Sequence, residues 1–174
     1  MDPMTDVQVL VPTNRGICGV INLNARIQKA LNPGKGGLLH GNRVFRRGDR
    51  VIQLKNNYEK EIFNGDIGII SGINAELKEM KIDFEGRMVS YSFYDADEIS
   101  HSYAISIHKS QGSEFRCVIV PILTSHYMLL QRNLLYTALT RARELAILVG
   151  SKKAIGMAVN KNVVEKRFTG LRQL

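Results

Sequence analysis

Tryptophan is absent from the 174 residues, cysteine occurs twice and proline four times. Cys18 and Cys117 lie far apart, outside any Cys-x-x-Cys pair or Cys/His cluster, so neither a zinc site nor a disulfide framework is indicated. Reduced thiols are expected. No apolar run reaches the roughly 18 to 20 residues needed to cross a bilayer, and the acidic start Met1 to Asp6 has no signal-peptide character. A cytoplasmic protein with no membrane partner is expected. A further absence is a Gly-x-x-x-x-Gly-Lys-[Ser/Thr] segment, the loop that wraps nucleotide phosphates. The chain alone is therefore not expected to hydrolyse a nucleoside triphosphate.

Acidic residues are also scarce, with 16 Asp and Glu against 24 Lys and Arg and a net charge of +8. Such a surplus steers anionic ligands by long-range field, and nucleic acid is the leading candidate partner. With 44% hydrophobic and 23% charged residues the chain has the balance of a folded domain. Its length suits one domain, or one domain carrying a small insertion.

The segment Asp6 to Pro12 is a short apolar run stopped by proline, which predicts a buried strand. Val20, Ile21, Leu23, Ile27, Ala30 and Leu31 then recur at helical spacing until Asn32-Pro33-Gly34. Gly34 to Asn42 reads as a connection, after which the period changes to alternation. Strands are predicted at 49–55, 65–71, 79–84 and 87–93, the last two joined at Glu85-Gly86, and together they indicate a small β-barrel. After Asp95 to Glu98, Tyr103 to His108 leads into a polar loop. A buried strand at Cys117 to Pro121, a helix at Arg132 to Arg143 and a second buried strand at Leu145 to Gly150 follow. Strands alternating with helices imply an α/β layer with a parallel sheet, interrupted by the barrel.

Three segments carry chemistry. Ser106 to Phe115 packs hydroxyls, His108, Lys109, Gln111, Gly112 and Glu114 between two apolar strands. Gly112 permits a tight turn, Ser and His side chains can hold phosphate oxygens, and Glu114 can accept from a ribose hydroxyl. Tyr136 to Arg143 presents Arg141, whose planar, always charged fork can bridge two phosphate oxygens. Val11 to Gly16 runs from a strand end into a loop with Asn14 and Arg15.

These segments resemble motifs V, VI and IV of superfamily-one helicases, most closely those of RecD-like enzymes. The resemblance covers nearly the whole chain. It implies a RecA-like (P-loop NTPase-type) α/β parallel-sheet second motor domain at residues 5–42 and 96–170, interrupted by a small SH3-like β-barrel at 43–95. It implies an ATP-dependent DNA helicase of the exodeoxyribonuclease V alpha-subunit type. The expected catalytic residues are Arg141, as arginine finger, and Arg15. The expected nucleotide contacts are Gln111, Gly112 and Glu114. Ser106, His108, Lys109, Ser110 and Asn14 are the expected contacts to single-stranded DNA.

ATP and Mg2+ would be bound mainly by an N-terminal motor lobe of the same parent chain, which implies that the 174 residues are a piece of a longer protein. Nuclease-complex subunits are further expected partners. Arg46, Arg47, Arg50, Lys55 and Lys60 of the barrel could meet phosphates, and Tyr58, Phe63, Tyr91, Phe93 and Tyr94 could stack on bases or fill the barrel core. Arg143, on the helix but turned away from Arg141, is expected to be a surface side chain. The open alternative is a stand-alone nucleic-acid-binding module without ATPase activity.

Overall fold

The computed structural model describes residues 1–161, so the far end of the expected α/β segment, up to residue 170, lies outside the described residues. Strand β1 (Val7–Val11) ends at Pro12, and helix α1 (Val20–Leu31) stops at Asn32, where the following proline disfavours helical backbone. The chain then forms a hairpin of β2 (Leu38–His40) and β3 (Arg43–Phe45) within and beyond the stretch expected to be a plain connection. The glycine-rich composition hid it, because neither strand is longer than three residues.

Strands β4 (Arg50–Gln53), β5 (Ile67–Asn74), β6 (Glu79–Phe84), β7 (Arg87–Ser92) and β8 (Ile99–His101) form a five-stranded antiparallel sheet in the order β7-β6-β5-β4-β8. The β6–β7 turn falls at Glu85 and Gly86, both at positive φ, as a two-residue hairpin requires. Ile99–His101, expected on the α/β side of the boundary, pairs instead with β4 and closes this sheet.

The remaining strands, β9 (Ala104–Ser106), β10 (Phe115–Ile122) and β11 (Ala142–Gly150), join β1 in a four-stranded sheet ordered β11-β10-β1-β9. All its pairings are parallel. Helices α2 (Arg132–Leu139) and α3 (Lys152–Asn160) pack together beside it. Helix α2 ends four residues before the expected Arg143, because Phe115 N–H donates to the Arg141 carbonyl and draws the following residues into the β-ladder. The expectation of a buried strand at 145–150 is also corrected: Leu145, Ile147 and Val149 are exposed, and within that stretch Leu148 alone packs against the core.

Two polar residues on the buried face of α1 explain how the modules are joined. Asn24 pairs with both the N–H and the carbonyl of Ala104 at the outer edge of β9, at 2.9 and 2.8 Å, substituting for a missing strand. One turn on, Gln28 donates to the Asp49 carboxylate at 2.6 Å. Asp49 has no exposed surface and also accepts from Asn32 at 2.7 Å, the Arg46 N–H at 2.7 Å, the Tyr103 hydroxyl at 2.9 Å and His101 Nε2 at 3.1 Å. Burial pushes its carboxyl up, but the bonds from His101, the Arg46 amide and Asn32 outweigh burial, and the net shift is downward.

Two further links cross between the sheets. Buried Arg50 donates to the Val7 carbonyl at 2.8 Å, and burial pulls its guanidinium down to about 10. Ile52 of the antiparallel sheet lies in the core that also contains Leu10, Ile105 and Val118 of the parallel one. Two of the barrel cations expected to meet phosphates are therefore engaged otherwise. Arg50 is buried under β1, and Lys60 pairs with Asp95 at 3.0 Å above the Tyr91 ring.

Replacing Asp49 with Ala would leave Gln28, Asn32 and Tyr103 without a buried acceptor, at an expected cost of about 3 to 5 kcal/mol in urea unfolding. Because the folded carboxyl lies below its unfolded value, its contribution is present above about pH 4 and is lost as pH falls through the folded value. An acid titration of stability should show this loss in the native chain and not in Asp49→Ala.

Candidate nucleotide and nucleic-acid interface

In an all-parallel sheet every strand ends on the same edge, so the register decides which loops can share a ligand. Val11 pairs with Ser106, and the loops that follow, Pro12 to Gly19 and Ile107 to Glu114, both start from the carboxyl edge. Phe115 pairs with Ala142 at the opposite, amino edge. The segment from Ile107 to Glu114 therefore crosses from one edge to the other.

Its first half is a 3-10 turn, Ile107–Ser110, capped by the Ser106 hydroxyl, which accepts from the Lys109 N–H at 3.3 Å. His108 and Lys109 are exposed on that turn. Ser110, expected to touch DNA, does not reach solvent: it is fully buried and its hydroxyl donates to the Ile107 carbonyl at 2.7 Å. It holds the turn and is removed from the contact set.

The second half begins with exposed Gln111, whose N–H donates to the His108 carbonyl, and with Gly112 at φ +87. A side chain at position 112 would be strained in that left-handed conformation, so the turn that delivers Ser113 and Glu114 to the amino edge depends on glycine.

At the amino edge Arg141 and Glu114 are neighbours. The Arg141 guanidinium donates through Nη1 to the Ser113 carbonyl at 3.2 Å, and its Nη2 has only a long 3.4 Å contact with the Thr140 hydroxyl. Its Nε is buried with no acceptor among the described residues. The fork is thus fixed by the crossing loop while much of its donor capacity is unused.

Glu114 accepts from Arg143 Nε at 3.0 Å, both side chains being more than half exposed. Arg143 is expected on a helix, turned away from Arg141. The residue lies on β11, where the strand period turns it toward Glu114. Recognising that would have required knowing that the helix ends at Leu139. Beside this edge a cleft of about 990 Å³ separates the two sheets, lined among others by Asp6, Arg50, Glu114, Arg116 and Arg143.

Asn14 and Arg15 are exposed at the carboxyl edge, with Ser106 and His108. They are not near Arg141. The levels of Val11 and Ala142 are six residues apart along β10, on the order of 20 Å. Arg15, expected with Arg141 as a catalytic residue, leaves the sheet at the other end, because parallel strand direction separates the end of β1 from the start of β11. Gly19 closes the Arg15 loop, and a Cβ there would lie 2.5 Å from the Arg15 carbonyl carbon.

Of the barrel aromatics, Tyr91 is in the core, whereas Tyr58, Phe63 and Tyr94 are exposed. Among the described residues no group of three or more His, Cys, Asp or Glu side chains could hold a metal ion, and no helix is long and apolar enough to cross a membrane.

The α/β fold with its inserted barrel is that of a helicase motor domain. It superposes on a Pif1 helicase from Bacteroides, solved in complex with ADP-AlF3 and ssDNA, with a TM-score of 0.64 at 18% identity, covering 95% of this chain and 44% of that one. Residues 23–84 match the SH3 domain of ATP-dependent RecD-like DNA helicases, and residues 101–149 match the UvrD-like helicase C-terminal domain. The chain belongs to the RecD-like DNA helicases. It is 40% identical over 165 residues to the ATP-dependent RecD2 DNA helicase of Deinococcus radiodurans, covering 95% of this chain and 23% of that protein. It is 30% identical over 170 residues to the RecBCD enzyme subunit RecD of Mycolicibacterium smegmatis, covering 95% of this chain and 28% of that protein. The chain thus spans about a quarter of the length of these curated relatives.

The reassignment of Ser110 is open to measurement. Ser110→Ala should lower stability by about 1 kcal/mol in chemical denaturation and leave affinity for single-stranded oligonucleotides unchanged. A loss of binding with unchanged stability would return the hydroxyl to the contact set.

Proposed function

We propose that this chain supplies the second motor domain of an ATP-driven DNA helicase, with Arg141 acting on a nucleotide held by a separate phosphate-binding lobe. The observation that carries the reading is the position of Arg141. Its fork is bonded to Ser113 in the loop that also bears Glu114, with a buried Nε lacking an acceptor among the described residues and Nη2 only weakly engaged. An arginine held in that way suits phosphate oxygens better than it suits a packing role.

ATP with Mg2+, when bound, supplies the γ-phosphoryl group whose charge redistributes during hydrolysis. Arg141 would hold that charge from this side, Glu114 would accept from the sugar hydroxyls, and Gln111 and Gly112 would shape the loop against the base and ribose. Mg2+ would be held mainly by the phosphate-binding lobe. Arg143 restrains Glu114 before nucleotide arrives.

Movement follows from differential contact. Binding of the triphosphate favours approach of the two lobes because Arg141 gains partners only in the closed form, and hydrolysis removes that gain. The crossing loop joins the Arg141 edge to Ser106, His108 and Lys109, so lobe motion is passed to the DNA contacts at the other edge. Arg15 and Asn14 belong by position with those contacts. The domain division for this function is the discontinuous α/β body with the barrel inserted between α1 and β9, and the β2–β3 hairpin goes with the barrel, since Phe45 lies in its core and Leu38 packs against it. The proposed partners are single-stranded DNA, the phosphate-binding lobe and, as in the RecBCD relatives, nuclease-complex subunits.

In a polypeptide joining this chain to a P-loop lobe, Arg141→Ala should lower DNA-stimulated ATP turnover by a factor of about 10³ or more and leave single-stranded DNA affinity nearly intact. Turnover within a few-fold of the parent would refute the assignment. If the joined polypeptide binds oligonucleotides but shows no ATP hydrolysis under any condition, the stand-alone binding module is the better description.

A further inference from the structure

The two edges of the parallel sheet differ in charge in a way that net composition conceals. The segments leaving the carboxyl edge are 12–19 after β1, 107–114 after β9, 123–131 after β10 and 151–161 after β11, and their one carboxylate, Glu114, sits where its segment has already reached the amino edge. They carry Arg15, Lys109, Lys152 and Lys153, all exposed, and Lys161, whose ammonium donates to the Tyr127 and Met128 carbonyls. The amino edge, by contrast, mixes Arg116, Arg141 and Arg143 with Asp6, Glu114 and Glu144, and most of those charges are paired with one another.

Sheet order places the cationic segments in a row. Crossing β11-β10-β1-β9 in turn, the edge presents Lys152 and Lys153, then the loop bearing Tyr127, then Asn14 and Arg15, then His108 and Lys109. Three strand spacings of about 4.8 Å make this row on the order of 15 Å wide. Ile122 pairs with Gly150, so the lysines leave the sheet beside the loop that follows β10. Tyr127 in that loop is 54% exposed. Helix α3 begins in the same place: the Ser151 hydroxyl accepts from the Ala154 N–H at 3.1 Å, and the amides of Lys152 and Lys153 are first-turn donors without an intrahelical partner.

We propose that the track for single-stranded nucleic acid continues past the Ser106–Lys109 loop along the whole carboxyl edge, with Lys152 and Lys153 on its phosphates and Tyr127 stacked on a base. This extension rests on the functional reading above, which places DNA at Ser106 and His108, and adds three residues from the far side of the sheet. A row of cations without a single carboxylate suits a continuous polyanion, and an exposed aromatic among them suits an unpaired base, which a lipid headgroup layer does not offer.

The test is fluorescence anisotropy of the 174-residue chain with a labelled oligo-dT, titrated at several KCl concentrations. Lys152→Ala/Lys153→Ala should weaken binding on the order of tenfold at low salt and reduce the slope of log affinity against log salt by about 1.4, the value for two single-strand phosphate contacts. Tyr127→Ala should weaken binding on the order of tenfold with the slope unchanged. Lys78→Ala/Lys81→Ala removes the same charge from the barrel and should do neither, while Lys152→Arg/Lys153→Arg should restore binding.

If His108→Ala weakens binding but the Lys152/Lys153 pair behaves like the barrel pair, the extension is wrong and the functional reading stands. If the chain binds no oligo-dT at low salt, both fall. Cosedimentation with phosphatidylserine vesicles in place of oligonucleotide binding would overturn the proposal in favour of a lipid surface.

Discussion

A single buried carboxylate holds the parts of this molecule in one arrangement. Asp49 accepts from α1 through Gln28 and Asn32, from its own turn through the Arg46 amide, from the barrel through His101 and from the start of β9 through Tyr103. An unpaired carboxylate at that depth would be costly, and the donors that satisfy it come from well-separated parts of the chain. The network therefore acts as a test of correct assembly. Arg50 on the Val7 carbonyl and Gln8 on the Ser102 carbonyl tie the same junction from either side.

Because that junction is rigid, the barrel is not a loosely tethered insertion. Ile52, with the flanking Leu54 and Ile67, contributes to the core under the parallel sheet, so barrel and sheet share buried surface. Their fixed relation forms the cleft at the amino edge. The sheet is then a spacer between two chemistries: a guanidinium and a carboxylate poised at one end, and an acid-free row of cations at the other. The segment from Ile107 to Glu114 is the loop that runs directly between them. Its first turn is held by the Ser106 cap and by the buried Ser110 hydroxyl.

Much of the architecture was legible from local pattern. The helix at Val20–Leu31, the strand before it and the Glu85-Gly86 hairpin agree with the structure because each has a strong local cause: a 3.6-residue period with a proline stop, a β-branched run, and a turn that only certain residues accept. The misses share a different cause. The β2–β3 hairpin and Ile99–His101 are three-residue strands, too short for any period to show, and their pairing is decided by partners far away in sequence. Helix α2 stopped early because Arg141 found a ladder partner in Phe115, and that one change of backbone state moved Arg143 from an unremarkable helix surface to the side of Glu114.

The sequence by itself determined the residue types available for chemistry and the order in which they occur, since motif spacing and charge are properties of the covalent chain. Which of those residues could act together was decided only by the tertiary structure. Ser110 looks the same on paper as Ser106, yet one is buried and the other caps an exposed turn. Arg15 and Arg141 look like a pair, yet parallel strands with their common direction put one at the end of β1 and the other at the start of β11. Strand direction and burial are set by contacts between distant segments, and no local pattern of residues can carry that information.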